Sequence, residues 1–159
     1  MHSTQFRAWD KKNKIMAPVT KINFKEGKIT TVSITLLENN VPKTVTYNAD
    51  NKEFNIDTLT IMQCVNINSI DGKSVFEDDI VTRPGYTDYD TFSYVEAVTG
   101  IVKFKNHAWC IVDETSGITI PLFLAHKYGD LYNLHVIGNI YENTIPISDL
   151  TTKCNQSYA

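Results

Sequence analysis

Apolar and polar residues alternate with a period of two along most of the chain, and β-branched and aromatic residues fill many of the alternating positions. In ITTVSITLL (29–37) the set Thr30, Val32, Ile34 and Leu36 reads as the face turned to a core. KEGK (25–28) is a turn, which predicts a hairpin between 19–24 and 29–37. TVTY (44–47) and TLTIMQCV (58–65) read as further strands, and the Asn-, Asp- and Lys-rich stretches at 38–43 and 48–53 as connections.

The second half has sharper punctuation. Asp71-Gly72 is a tight-turn dipeptide. DIVTR (79–83) is a strand stopped by Pro84-Gly85, and a long segment, 84–97, follows it. VTGIVKF (98–104), AWCIVD (108–113) and ITIPLFL (118–124) are strands joined by KNH (105–107) and ETSG (114–117). Gly100 suggests a bend or bulge, and Pro121 an edge strand or bulge. YNLHVIGNIYEN (132–143) gives a last strand and a short helical turn ending near Asn143. Ser148 is placed to cap a short C-terminal helix over SDLTTKC.

Closing so many short strands on themselves removes exposed edges. The fold expected is therefore all-β: a small SH3-like antiparallel barrel over 66–143. An N-terminal β-hairpin or meander over 1–65 precedes it, and a tail or short helix over 144–159 follows. A chain of 159 residues can build a core without disulfide staples. Cys64, Cys110 and Cys154 are odd in number and far apart, which favours buried thiols over a zinc site or a disulfide framework. No apolar run reaches the length of a membrane span, and MHSTQFRAWDKKNK has no apolar signal core, so a cytosolic protein without membrane contact is expected.

Charge divides the chain. Residues 1–52 hold nine Lys/Arg against four Asp/Glu, and residues 53–159 hold six against fourteen. A basic front and an acidic back can attract each other within a monomer or between subunits, or serve two partners.

Four blocks, in order, carry a family resemblance. QFRAWDKKNKIM (5–16), IMQCVNINSIDGKSVFEDDIV (61–81), GIVKFKNHAWCIVD (100–113) and VIGNIYEN (136–143) resemble the corresponding blocks of YopX-like proteins of bacteriophages and prophages. The resemblance implies a small phage protein working in a bacterial cytoplasm, is compatible with a homo-oligomer, and supplies no catalytic residues. Such proteins commonly carry Gly where this chain has Asp78, which points to a backbone role there, because Asp tolerates positive φ better than most residues.

Several clusters invite a chemical reading. Glu77, Asp78 and Asp79 form the densest run of charge. On an extended chain Glu77 and Asp79 share a face and Asp78 opposes them, which is too few oxygens for a hard cation. The reading preferred is a turn and strand entry, with Asp79 accepting backbone N–H bonds across the turn. His107, His126, His135 and Cys110 lack zinc-ligand spacing. No nucleophile elbow, phosphate-binding loop or dinucleotide fingerprint occurs, so neither an enzyme nor a cofactor is expected.

The segment 84–97 interleaves Tyr86, Tyr89, Phe92 and Tyr94 with Asp88, Asp90 and Glu96 and contains no Lys or Arg. It resembles in placement the acidic, aromatic recognition loop of peptide-binding SH3 domains, and its charge would repel a phosphate backbone. Tyr86, Tyr89, Phe92, Tyr94, Asp88 and Asp90 are the partner-binding residues expected, with packing onto the barrel or a neighbouring subunit as the alternative. The function expected is non-enzymatic binding of a host or phage protein, modulating defence, regulation or replication. A second reading is a nucleic-acid-binding accessory protein using Arg7, Trp9, Lys11, Lys12 and Lys14, with Phe24 stacking on bases. A third is sequestration of a small signalling molecule in counter-defence.

Overall fold

A computed structural model describes residues 4–88, 90–122 and 134–143. The chain divides into two compact units, Met1–Cys64 and Val65–Ala159.

The first unit is a meander. Strands β1 (Phe6–Asp10), β2 (Ile15–Lys25), β3 (Lys28–Glu38) and β4 (Val41–Asn48) follow one another antiparallel, and β5 (Leu59–Asn68) returns to pair with β1. Its strand order is β4-β3-β2-β1-β5, and β6 (Ser74–Phe76) follows in the second unit. Ala8, Ala17, Val32, Ile34, Val45, Tyr47 and Leu59 form its core, and Leu36 packs against it. The face read from the 29–37 alternation is thus the buried one. The hairpin expected at 19–24 and 29–37 is present and longer, with Glu26 and Gly27 both at positive φ (51° and 75°). That is the backbone of a type I′ turn, whose twist matches the strands it joins.

The second unit holds a five-stranded antiparallel sheet. β7 (Asp79–Arg83), β10 (Val98–Lys105), β11 (Ala108–Val112) and β12 (Thr119–Pro121) form a meander, and β13 (His135–Asn139) pairs with the free side of β7. Val65, Val75, Val81, Val98, Val102, Ile111, Leu122 and Leu134 make its core, with Trp109 packed on it. The order is β12-β11-β10-β7-β13. The all-β class holds, but the barrel expected over 66–143 is not closed among the described residues, because β12 and β13 end the sheet without a shared ladder. Pro121 keeps β12 at an edge, where its missing N–H costs nothing. The short C-terminal helix expected over 148–154 lies outside the described residues. A 3₁₀ turn, Ile56–Thr58, capped by the Asn55 side chain, leads into β5.

Gly100 differs from its reading as a bend or bulge. It sits in unbroken register opposite Val81, and a Cβ there would collide with the backbone carbonyl of Val112. The position requires close approach of two strands rather than a kink.

Candidate functional site

The acidic run 77–79 folds as its turn reading expects. Asp78 adopts φ 66°, the left-handed conformation that Gly takes most easily. Asp79 is buried, and its carboxylate accepts the Phe76 N–H at 2.8 Å, closing the β6–β7 turn. Asp78 is also buried. Lys103 of β10 donates to its Oδ1 at 2.5 Å, and the Tyr141 hydroxyl, in the turn after β13, donates to its Oδ2 at 2.5 Å. Its backbone joins the same segments: its N–H donates to the Val102 carbonyl and its carbonyl accepts the Ile140 N–H. Both carboxylate oxygens are engaged, so this carboxylate ties a turn to two strand ends.

A further buried carboxylate, Asp10, has an arrangement in the first unit parallel to that of Asp78. It accepts the Tyr47 hydroxyl at 2.6 Å, the Asn13 side-chain amide at 2.6 Å, and the backbone N–H groups of Lys12 and Asn13. Burial pushes the Asp10 carboxyl up, but these bonds together outweigh it and hold the group below the usual carboxylate range. Burial and the neighbouring Asp10 charge push the Tyr47 phenol up. Nothing in the chain sequence around FRAWD announces this pair, whose members are 37 residues apart.

Segment 84–97 is a β-ribbon rather than an open loop. β8 (Tyr86–Asp88) pairs with β9 (Ser93–Val95) in the register Tyr86↔Val95, Thr87↔Tyr94 and Asp88↔Ser93. Alternation therefore puts Tyr86 on one face and Tyr94 on the other. The Arg83 guanidinium lies over the Tyr86 ring, 5.4 Å from its centroid, and donates to the Glu96 carbonyl. Tyr86 is thereby held at the base of the ribbon as a supporting residue. Tyr94 is 68% exposed, and its hydroxyl end lies over Gly85, where a Cβ would overlap it. Phe92, in the tip at φ 50°, is 87% exposed, the most exposed large apolar side chain among the described residues. Asp90 is exposed in the tip, and Asp88 stands opposite Ser93 in the ladder. Tyr89 lies outside the described residues. The structure thus separates a presented pair, Phe92 and Tyr94, from a braced one, Tyr86.

The basic front is divided as well. Arg7 and Trp9 are half-buried on the face of β1 opposite the core residues Ala8 and Asp10, with Trp9 between Met16 and Thr60 in the ladder. Lys11, Lys12 and Lys14 are exposed in the β1–β2 turn, and the Lys12 ammonium donates to the Glu53 carbonyl. A half-buried indole is poorly placed to stack on bases beside them. Among the described residues no three His, Cys, Asp or Glu side chains converge as metal ligands. His126 lies outside them, His107 is exposed in the β10–β11 turn, and Cys64 and Cys110 are buried free thiols. No described helix is long and apolar enough to cross a membrane.

Sequence reasoning passed over one exposed aromatic. Phe104 of β10 is 59% exposed and meets Trp109 edge to face at 5.2 Å, continuing the core face of the second sheet into solvent. Its only signal in the sequence is its even spacing from Val102.

This two-sheet β architecture with its acidic turn belongs to a recognised family: the YopX protein family model matches residues 5–145, and the chain is a member of that family. Among solved structures it is similar to protein EF1440 from Enterococcus faecalis, at 18% identity and TM-score 0.51, covering 90% of this chain and 96% of that one. It is also similar to protein YopX from Bacillus subtilis, at 17% identity and TM-score 0.48, covering 87% and 94% of the two chains. No curated protein matches.

Proposed function

We propose that this YopX-family chain is a phage-encoded, non-enzymatic binding protein whose contact surface is the β8–β9 ribbon. The observation that carries the reading is Phe92, 87% exposed at the tip of an acidic ribbon and followed by the 68% exposed Tyr94. Leaving two aromatic rings in water forgoes roughly 1.5–3 kcal/mol of burial each, which a partner can recover. The segment 84–97 holds three carboxylates and no Lys or Arg, so the partner presents a basic surface with an apolar centre. The same charge disfavours nucleic acid at this surface. The partner is a host or phage protein in the bacterial cytoplasm. The ribbon stands on Arg83 and Tyr86, whose stacking and hydrogen bond to Glu96 pre-organise it and lower the ordering cost of binding.

A photo-crosslinking amino acid at position 92, expressed in phage-producing cells, tests this directly. Crosslinks to one protein with a basic surface are expected. Crosslinks spread over abundant cell proteins, with the same pattern from an exposed control position such as Lys52, would overturn the reading.

A further inference from the structure

A second surface lies in the first unit, at the far end of β2 and β3. β1 pairs with β2 only as far as Pro18, and β4 pairs with β3 only as far as Thr31. Among the described residues no other strand lies beside 21–25 or 28–30, so the hairpin ends in a two-stranded arm. The ladder register makes this arm two-faced. Ile22 faces Val32 and Phe24 faces Ile29 on the side that continues the buried core. The Phe24–Ile29 pair holds the strands in register where no third strand does. Lys21, Asn23 and Lys25 alternate onto the other side, where Thr31 is the partner of Asn23 and Lys28 that of Lys25. That face is wholly polar. The Asn23 amide donates to the Thr31 hydroxyl at 2.5 Å, which fixes the amide and leaves it a carbonyl oxygen and a second N–H. Lys25 stands directly opposite Lys28, two like charges that destabilise a ladder unless an anion neutralises them. Lys43, Lys73 and Lys103 pair with Glu38, Asp71 and Asp78. Among the described residues no carboxylate pairs with Lys21, Lys25 or Lys28, and residues 21–30 hold three Lys against one Glu.

We infer that the polar face of this arm binds double-stranded DNA, lying in the major groove with Lys21, Lys25 and Lys28 on phosphates and Asn23 toward the base edges. A two-stranded β-ribbon fits a groove about 12 Å wide, and an Asn amide offers adenine both an acceptor and a donor. Lys21 and Lys25, four steps apart on an extended strand, are separated by about 14 Å, enough to reach phosphates on both walls. Those phosphates supply the negative charge that the Lys25–Lys28 pair lacks. The deep, narrow major groove of duplex RNA does not admit such a ribbon. The inference does not rest on the β8–β9 ribbon, whose carboxylates repel phosphate, and it gives the basic front and the acidic back different partners. The surface is distinct too from Lys11, Lys12 and Lys14, which the eleven residues of β2 place about 30 Å away.

Fluorescence anisotropy of a labelled DNA duplex of about 20 base pairs, titrated with the full chain at about 50 to 200 mM salt, is the test. Three phosphate contacts predict that log K falls with log salt at a slope of about −2.7. Lys21→Ala/Lys25→Ala/Lys28→Ala is expected to weaken binding at least tenfold at the lowest salt and to flatten that slope. Lys11→Ala/Lys14→Ala is expected to change affinity less than twofold. All five lysines are exposed, so both variants should fold. Lys28→Gln alone relieves the like-charge pair, and is expected to lower affinity without lowering the melting temperature. A duplex RNA of the same sequence is expected to bind at least tenfold more weakly. No binding of duplex DNA at about 50 mM salt overturns the inference, as does binding that survives the triple substitution or falls equally with Lys11→Ala/Lys14→Ala. Equal or tighter binding of duplex RNA or of single-stranded DNA overturns it too.

Discussion

The hydroxyl of Tyr47 donates to the buried carboxylate of Asp10 at 2.6 Å, joining β4 to the end of β1 inside the first core. Asp10 is 1% exposed and Tyr47 1% exposed, so water cannot replace a lost partner without opening the sheet. Tyr47→Phe keeps the ring and its edge contact with Phe54 but leaves an acceptor short of a donor. The expected cost is about 1.5–3 kcal/mol, the range for hydrogen bonds to charged groups, read as a lower urea midpoint at unchanged slope.

The same pair sets a pH window. The folded Asp10 carboxyl titrates below its usual 3.8, so its contribution is present above that value and is lost as pH falls through the folded pKa. The folded Tyr47 phenol titrates above its usual 10.0, so its contribution is present below 10.0 and is lost as pH rises from there through the folded pKa. Unfolding measured from pH 2 to 11 should show stability falling at both ends. In Tyr47→Phe the loss above pH 10 should be smaller than in the unsubstituted chain.

At position 78 geometry and chemistry oppose each other. Asp78→Gly relieves a positive φ of 66° but removes the acceptor for Lys103 and Tyr141. Asp78→Ala removes the acceptor and keeps the strain. Ala should therefore be the less stable variant by about 1 kcal/mol, the order of the left-handed penalty for a residue with a Cβ. Equal melting temperatures for the two would mean that backbone strain at this turn is negligible.

Gly100→Ala is expected to destabilise the second unit by about 1–3 kcal/mol, because the added methyl must displace the Val112 carbonyl from a packed sheet. Thermal melting checks it, and a neutral result would show that β10 and β11 separate more easily than their register suggests.

Much of the fold was legible because its signals are local. Asp71-Gly72, Pro84-Gly85 and the alternation in DIVTR bracket β7 at residues 79–83, as observed. β1 is not legible as a strand, since FRAWD carries two charged residues in five and its buried Asp10 makes sense only with Tyr47, far along the chain. β8 and β9 are not legible as strands, because three residues each give too short an alternation to detect. The aromatic cluster was visible as composition, but not its division. Only the ladder register puts Tyr86 and Tyr94 on opposite faces, and only the fold brings Arg83 over Tyr86. The backbone role of the acidic run at 77–79 is legible in the turn preference of Asp and in the Gly that YopX-like proteins commonly carry at position 78, and Asp78 indeed adopts a positive φ.

The most direct test of the account is recovery of a protein partner from phage-producing cells by the unsubstituted chain and by Phe92→Ala/Tyr94→Ala, compared at equal bait and matched melting temperature. Both side chains are exposed, so folding should be unaffected while recovery falls at least tenfold, equivalent to about 1.4 kcal/mol of binding free energy. Equal recovery by the two proteins would contradict the assignment of the β8–β9 ribbon as the contact surface.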